Sequence, residues 1–567
     1  MTMDSRSARP RSRTVLCTAI AAALAGAAGA SFTIGAAPAG GARPAARAGI
    51  DVPVPQPILT SNELIGEAKA DECFIDIGVD YPPINPDGTC PEGTPKTNES
   101  YIWGLTEESN KLYFGTIANA ACIISGQPQL AEGGDPAPGF VCEFGESQPA
   151  REHPAIPDAV GDWRVPSIYQ YDLATDELRA VTPSDPLMRS TLGFRGAGSI
   201  DNIAFLAGQA LGGPVSNFFA YKADTGEFLG SCEMTNYNYV RKWETTGGVL
   251  YVGVGSRAGG AVLRWDGDLS SFDGNFCDDF TVVGHLTAYT ANLAVYHGGD
   301  GEDHLAATTV PISNGTGVGL WVSPPLGPDG LTPEDADNWH QVWSPKQYDP
   351  DPIVAQFGYS GGAVIDFDGW VYWGTIHLSN SRAKTVHMSC TFPICFGPPQ
   401  TPEEEEELAT SIHRTGSVWR GRNLESPDRE IQLLYGESEL PVVNPQTGHF
   451  EPKSTGWTPL YGHSGFDNEN NEYIWQMAVF NGHLFVGTYD ASIFQQTPDA
   501  GGDLWRFDSS DSPAVNEDYQ GLGDRFNYGI RAMDALDDSS ALVVGMANPF
   551  NLRPGGGWEL RRLKESP

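Results

Sequence analysis

The sequence predicts an all-β fold assembled from repeated four-stranded units. Three observations carry that prediction: a recurring strand phrase ending in Gly, short β-rich runs separated by turn residues, and almost no helical periodicity. Composition agrees with a folded chain. Across 567 residues, 40% are hydrophobic, too many for a disordered chain, and the 67 Gly and 43 Pro lack the period of collagen. The balance of 72 acidic against 34 basic residues gives a net charge of −38. That sign excludes nucleic acid and anionic membrane surfaces as partners, because phosphate binding relies on surplus Lys and Arg.

The N-terminus comes first. Arg6, Arg9, Arg11 and Arg13 precede a small-residue apolar run from Val15 to Ala28, and Ala28-Gly29-Ala30 suits a small-x-small cleavage site. Residues 1–30 are therefore expected to be a signal peptide. As a membrane anchor the run is too rich in Ala and Gly, and no other stretch approaches the roughly 18 apolar residues of a span. Residues 31–60, rich in Ala, Pro and Gly, read as a linker. Losing residues 1–30 removes four Arg and one Asp and takes the net charge from −38 to −41. It also removes Cys17, leaving an even set of eight cysteines, which in an exported chain points to disulfides. Sequence-local pairing gives Cys73–Cys90, Cys122–Cys142, Cys232–Cys277 and Cys390–Cys395. No C-x2-C pair suggests zinc, and no haem, nucleotide or flavin motif is present. A secreted or periplasmic location follows.

The repeat sets the architecture. It runs Leu112-Tyr113-Phe114-Gly115-Thr116, then Leu250-Tyr251-Val252-Gly253 with Gly260-Ala261-Val262-Leu263-Arg264-Trp265. Val371-Tyr372-Trp373-Gly374-Thr375 pairs with Gly416-Ser417-Val418-Trp419-Arg420, and Leu484-Phe485-Val486-Gly487-Thr488 with Gly502-Asp503-Leu504-Trp505-Arg506. Leu542-Val543-Val544-Gly545 with Gly557-Trp558-Glu559-Leu560-Arg561 closes the series. Weaker copies fall at 203–208 and 304–309. A strand-like run precedes each copy, and several are followed by a fourth. Four strands in a sevenfold series make a seven-bladed β-propeller over residues 61–567, with a long insertion at about 379–415 taken as its longest loop. The chain resembles the seven-bladed propellers of secreted bacterial proteins, a likeness of fold that names no activity. The last blade has only three strands after Gly529. An N-terminal segment between about 50 and 80 is expected to complete it and close the ring, with Cys73-Phe74-Ile75-Asp76-Ile77-Gly78-Val79 the best alternating candidate.

In such a ring the first strand of each blade lines the channel, and the long loops between second and third strands gather on one face. The starts of the first strands supply Tyr101, Trp103, Arg195, Tyr239, Arg241, Tyr359, Tyr473, Trp475, Tyr528 and Arg531. Aromatic faces can stack on planar or sugar rings, and guanidiniums can clamp a carboxylate. Three Arg at one axis would need an anionic partner or water. The ends of the second strands add Asn119, Ser256, Arg257, His377, Ser379, Asn380, Tyr489, Asp490 and Asn548. His377 with Tyr489 and Asp490 is the candidate catalytic set, able to abstract and return a proton beside a carboxylate. His387, His413 and His463 could join His377 in a metal site if their loops fold inward. Acidic loops at 366–369 and 467–472 offer calcium ligands without EF-hand spacing. Glu403–Glu407 reads as a solvated tip. Gly358-Tyr359-Ser360-Gly361-Gly362 matches G-x-S-x-G but precedes a strand, where a nucleophile elbow needs a helix.

The functional expectation is an exported protein that binds a small molecule or saccharide at the channel mouth, with lyase or hydrolase chemistry from His, Tyr and Arg as its catalytic form. Two alternatives stand beside it: a non-catalytic recognition or adhesion module, and a metal-dependent oxidoreductase using the rim histidines. Calcium and a His-bound transition metal are the cofactors left open. Fold alone does not choose among these.

Overall fold

The computed structural model describes residues 56–125, 139–143, 145–153, 156, 160–312, 315–377, 382–495 and 500–565. The expected signal peptide, the linker up to residue 55, and Ser379 and Asn380 lie outside the described residues. The architecture is all-β and antiparallel, with a few short helices in the connections.

Four-stranded antiparallel meanders succeed one another along the chain. The first joins Glu99–Glu108, Lys111–Ala118, Ile168–Asp172 and Glu177–Ala180. Later units begin at Gly196–Ile200, Tyr239–Thr246, Tyr289–His297, Tyr359–Phe367 and Asn471–Phe480. A final unit of Gly529–Ala535, Leu542–Ala547 and Glu559–Glu565 takes its fourth strand from the N-terminal side. That strand is Leu59–Glu67, antiparallel to Glu559–Glu565, with Leu59 opposite Glu565 and Glu67 opposite Glu559.

The strand that completes the last unit therefore differs from the expected Cys73–Val79. Of that segment, Glu72–Phe74 pairs with Thr94–Lys96, and Ile75, Ile77 and Val79 are exposed. An outermost strand buries little, so its sequence, Leu-Thr-Ser-Asn-Glu-Leu-Ile-Gly-Glu, carries almost no apolar alternation. The Glu517 carboxylate anchors it at its start, accepting from the Ile58 and Leu59 amides at 3.0 and 3.1 Å while also pairing with Arg506.

The repeated Gly has a packing cause. A Cβ on Gly374 would lie 2.3 Å from Ile474 Cβ, and one on Gly487 2.6 Å from Ile530 Cβ. One on Gly545 would lie 2.7 Å from Ile102 Cγ2. Each Gly lets the next unit's first strand press against the second strand of its own unit, and Gly545 does so against the first unit of the chain. Any side chain there would push the units apart.

All four sequence-local cysteine pairs are disulfides: Cys73–Cys90, Cys122–Cys142, Cys232–Cys277 and Cys390–Cys395. Two long connections fall between second and third strands, of which the one from Ala118 to Ile168 exceeds the 379–415 insertion; another, residues 436–470, joins a fourth strand to the next unit's first. That insertion forms two helices, Arg382–Ser389 and Pro402–Ile412. The second is capped by the Thr401 side chain, and Glu403–Glu405 occupy its first turn, where the helix dipole favours acids. Ser360 sits buried inside the strand Tyr359–Phe367, not on an elbow. Among the described residues no helix is long and apolar enough to cross a membrane.

Candidate functional site: an arginine-lined cavity

The site is built by irregularities in the first strands. Register slips fall between Ile102 and Gly104, Val240 and Trp243, Ile474 and Gln476, and Ile530 and Ala532. A bulge leaves a residue outside the ladder and re-aims its side chain. The residues so displaced are Trp103, Arg241 with Lys242, Trp475 and Arg531. Arg195 reaches the same place from the residue just before Gly196–Ile200.

All of these but Trp475 line one cavity of about 40 Å3, together with Asn292 and Gln476 among others. One water needs roughly 10–15 Å3 by this measure, so the space suits a few waters or a compact anion and is too small for a sugar ring. Asn292 and Gln476, not singled out from sequence, each donate to a backbone carbonyl, of Gly362 at 2.6 Å and of Arg531 at 2.9 Å.

The three guanidiniums are buried, and those of Arg195 and Arg531 rest on aromatic faces. Arg195 Cζ lies 4.8 Å from the Tyr239 ring centroid and 5.3 Å from that of Trp103; Arg531 Cζ lies 5.4 Å from Trp475. Nε and one terminal nitrogen of both Arg241 and Arg531 are buried without a hydrogen-bond partner. No ion pair joins either residue to a carboxylate among the described residues. Burial, followed by the Arg241 charge and opposed by Tyr239, brings Arg195 down to about 10. Burial and then repulsion from Arg241 and Arg195 hold Arg531 well below the usual arginine value. Burial raises the Tyr239 hydroxyl, but Arg195 and Arg241 outweigh it and the net shift is downward. The cavity is thus a concentration of positive charge inside a strongly acidic protein.

Its two ends differ. Toward the strand starts, Tyr101, Trp475, Tyr489 and Tyr528 form one buried apolar cluster with Ile123, Phe140, Val160 and Trp163 of the 118–168 connection. Tyr473 stacks on Tyr489 with centroids 4.4 Å apart, and Tyr101 meets Tyr528 at 5.7 Å. These aromatics thus pack as a covered plug, not as an open stacking rim. Toward the strand ends, Glu244 follows Arg241 by three residues and Asp534 follows Arg531 by three, with Glu107 on the first unit. Burial, partly offset by Lys242, raises Glu244 to about 7; burial likewise raises Glu107 to about 7 and lifts Asp534. Both residue pairs were open to discovery by superposing the first-strand sequences three residues beyond each Arg.

Of the candidate catalytic set, Tyr489 belongs to that plug, and neither His377 nor Asp490 lines the cavity. His377 packs against Tyr359, centroids 6.3 Å apart, and His413, 5.4 Å apart. Burial, with the neighbouring His413 and Arg414, lowers it well below the usual imidazole value and keeps it neutral. Asp490 accepts from the Ser492 amide at 2.7 Å; burial raises it to about 6. No hydrogen bond joins His377 to Tyr489 or Asp490 among the described residues. The Tyr359 hydroxyl donates to Asp349 at 3.0 Å, away from the cavity. Of the other histidines, His387 packs on Phe450 and His463 bonds Glu437, so only His413 has joined His377. Asn119 and Asn548 are buried, and Arg257 is exposed.

No family model matches this chain, and no curated protein matches it. Solved structures do. PhoX of Pseudomonas fluorescens in complex with vanadate is 12% identical, covering 91% of this chain and 97% of its own, with a TM-score of 0.38. The Dos1 propeller is 10% identical over 85% of this chain and 81% of its own, with a TM-score of 0.34. A prolyl endopeptidase is 9% identical at a TM-score of 0.36; the match covers 83% of this chain but only half of the endopeptidase. At such identities and scores no activity is carried across.

Proposed function

We propose that the protein is an exported seven-bladed β-propeller, its ring closed by Leu59–Glu67, which binds a small anionic molecule in its axial cavity. In support of the ring stand the four-stranded units, the Gly545–Ile102 contact between last and first units, and the lateral succession of first strands. In support of export stand four disulfides, which belong to oxidising compartments. The observation that carries the ligand class is the convergence of Arg195, Arg241 and Arg531 on one cavity, with the buried nitrogens of Arg241 and Arg531 unpartnered.

Buried cations without counter-charges are costly, and an incoming anion supplies the missing acceptors as charge-assisted hydrogen bonds. The cavity volume favours an inorganic oxyanion or one carboxylate group over a saccharide. A thermal-shift and calorimetric screen of phosphate, sulfate and acetate tests this reading. One equivalent of anion should bind and stabilise the protein, and Arg241→Met should weaken binding by roughly 10–100-fold, matching ~1.5–3 kcal/mol for a charged hydrogen bond. No binding by the wild type, or equal binding by the variant, would refute it.

A further inference from the structure

We infer that the arginine cavity selects an oxyanion that still carries a proton, hydrogen phosphate in particular, over a fully ionised one such as sulfate, and that Asn292 and Gln476 make the selection. This deepens the anion reading above and rests on it. The two amides stand on the first strands of different units, Tyr289–His297 and Asn471–Phe480. Each comes directly after a register slip, between Thr290 and Asn292 and between Ile474 and Gln476.

The orientation of each amide is fixed by its partner. Asn292 Nδ2 lies 2.6 Å from the Gly362 carbonyl, and Gln476 Nε2 lies 2.9 Å from the Arg531 carbonyl. A carbonyl oxygen can only accept, so the group facing it is the NH2 and the other terminal atom is the amide oxygen. Both residues line the cavity, and Asn292 is only 4% exposed. Among the described residues no N–H or O–H donates to Asn292 Oδ1 or Gln476 Oε1.

The lining therefore holds two kinds of polar group. Arg195, Arg241, Arg531 and Lys242 can only donate, whereas the two amide oxygens can only accept. Sulfate satisfies the first kind and sets ionised oxygens against the second. An anion with one hydroxyl satisfies both: its ionised oxygens take the guanidinium donors, and its O–H donates to an amide oxygen. Phosphate keeps at least one such proton throughout the neutral range. A site built to receive a ligand hydroxyl rejects the analogue that lacks it, because its buried acceptor is left unpaired.

The test is calorimetry on the full chain, at a pH where phosphate is chiefly the dianion and matches sulfate in charge. The wild type should bind phosphate at least ~10-fold more tightly than sulfate. Monofluorophosphate, in which fluorine replaces the hydroxyl, should bind as sulfate does. The double variant Asn292→Leu, Gln476→Leu should bring the ratio close to one, chiefly by weakening phosphate; the Thr308 hydroxyl, 2.7 Å from the Gly362 carbonyl, still serves that acceptor. Arg241→Met should weaken both anions and keep the preference. Equal binding of phosphate and sulfate by the wild type, or phosphate-like binding of monofluorophosphate, would overturn the selection while the anion site itself stood. A double variant with undiminished preference would overturn the role of the two amides. Binding of neither anion would overturn both the selection and the site.

Discussion

Arg241→Met should make the ligand-free protein more stable, although it removes a buried residue. Arg241 appears among the charges that depress both Arg195 and Arg531. For Arg195 a fall from 12.5 to about 10 corresponds to ~3 kcal/mol at 1.36 kcal/mol per pH unit, shared between burial and the Arg241 charge. Because the folded value lies below the unfolded one, the charged form is disfavoured by folding. Below about pH 10 Arg195 is charged in both states, so the full cost is present at neutral pH and does not vary between pH 5 and 9. Methionine keeps the apolar stem, removes one buried charge and relieves its two neighbours. Replacing buried ions by apolar groups of similar volume is typically neutral or stabilising by ~1–4 kcal/mol; here ~1–3 kcal/mol is expected. Urea unfolding at low ionic strength reads the change as a higher midpoint at constant slope. Added phosphate should then stabilise the wild type by RT ln(1 + [L]/Kd) and the variant less at the same concentration, by the amount its weaker Kd dictates. A variant less stable than wild type in anion-free buffer would mean that Arg241 has an internal counter-charge, and the reasoning would fail.

Four further outcomes are expected. Sulfate, whose own charge is fixed across this range, should bind less tightly as pH rises through about 7, because Glu244 and Glu107 then gain negative charge; Glu244→Gln should flatten that profile in calorimetry. Burial raises Asp503 to about 8, against 3.8 when exposed, so its contribution is greatest in acid and is lost as pH climbs between those values. Asp503→Asn, which keeps an acceptor for Asn471 Nδ2, should therefore flatten the fall in melting temperature between pH 5 and 9. Deleting residues up to Glu67 should bare the edge of Glu559–Glu565 and yield aggregation in light scattering, whereas deletion up to residue 50 should not. Gly487→Val should destabilise by at least ~2 kcal/mol in urea unfolding, since Ile530 has no room to retreat.

Much of this was legible in the sequence for physical reasons. The Gly repeat was readable because the same close approach recurs between units, as at Gly374 and Gly487. The disulfides followed chain proximity. Arg195, Arg241 and Arg531 stood out because they recur at strand starts against the overall acidic sign. The closing strand was not legible, since Leu59–Glu67 is held by main-chain hydrogen bonds and Glu517 more than by apolar burial. Nor was the covering of the aromatics: Phe140 and Trp163 come from a distant connection, and no local pattern says where that connection folds. Asp503 illustrates the same limit. Its counterpart Glu559 is paired with Arg561 at 2.8 Å, whereas Trp505 stands at the equivalent place beside Asp503, and only the assembled unit reveals an acid buried without an ion pair among the described residues.

The proposed anion site is most directly tested by locating an anion. A crystal of the full chain soaked in selenate, read by anomalous scattering, should show one strong peak on the axis within hydrogen-bonding distance of Arg195, Arg241 and Arg531. An empty axis at saturating selenate, or a peak only at the surface, would contradict the account.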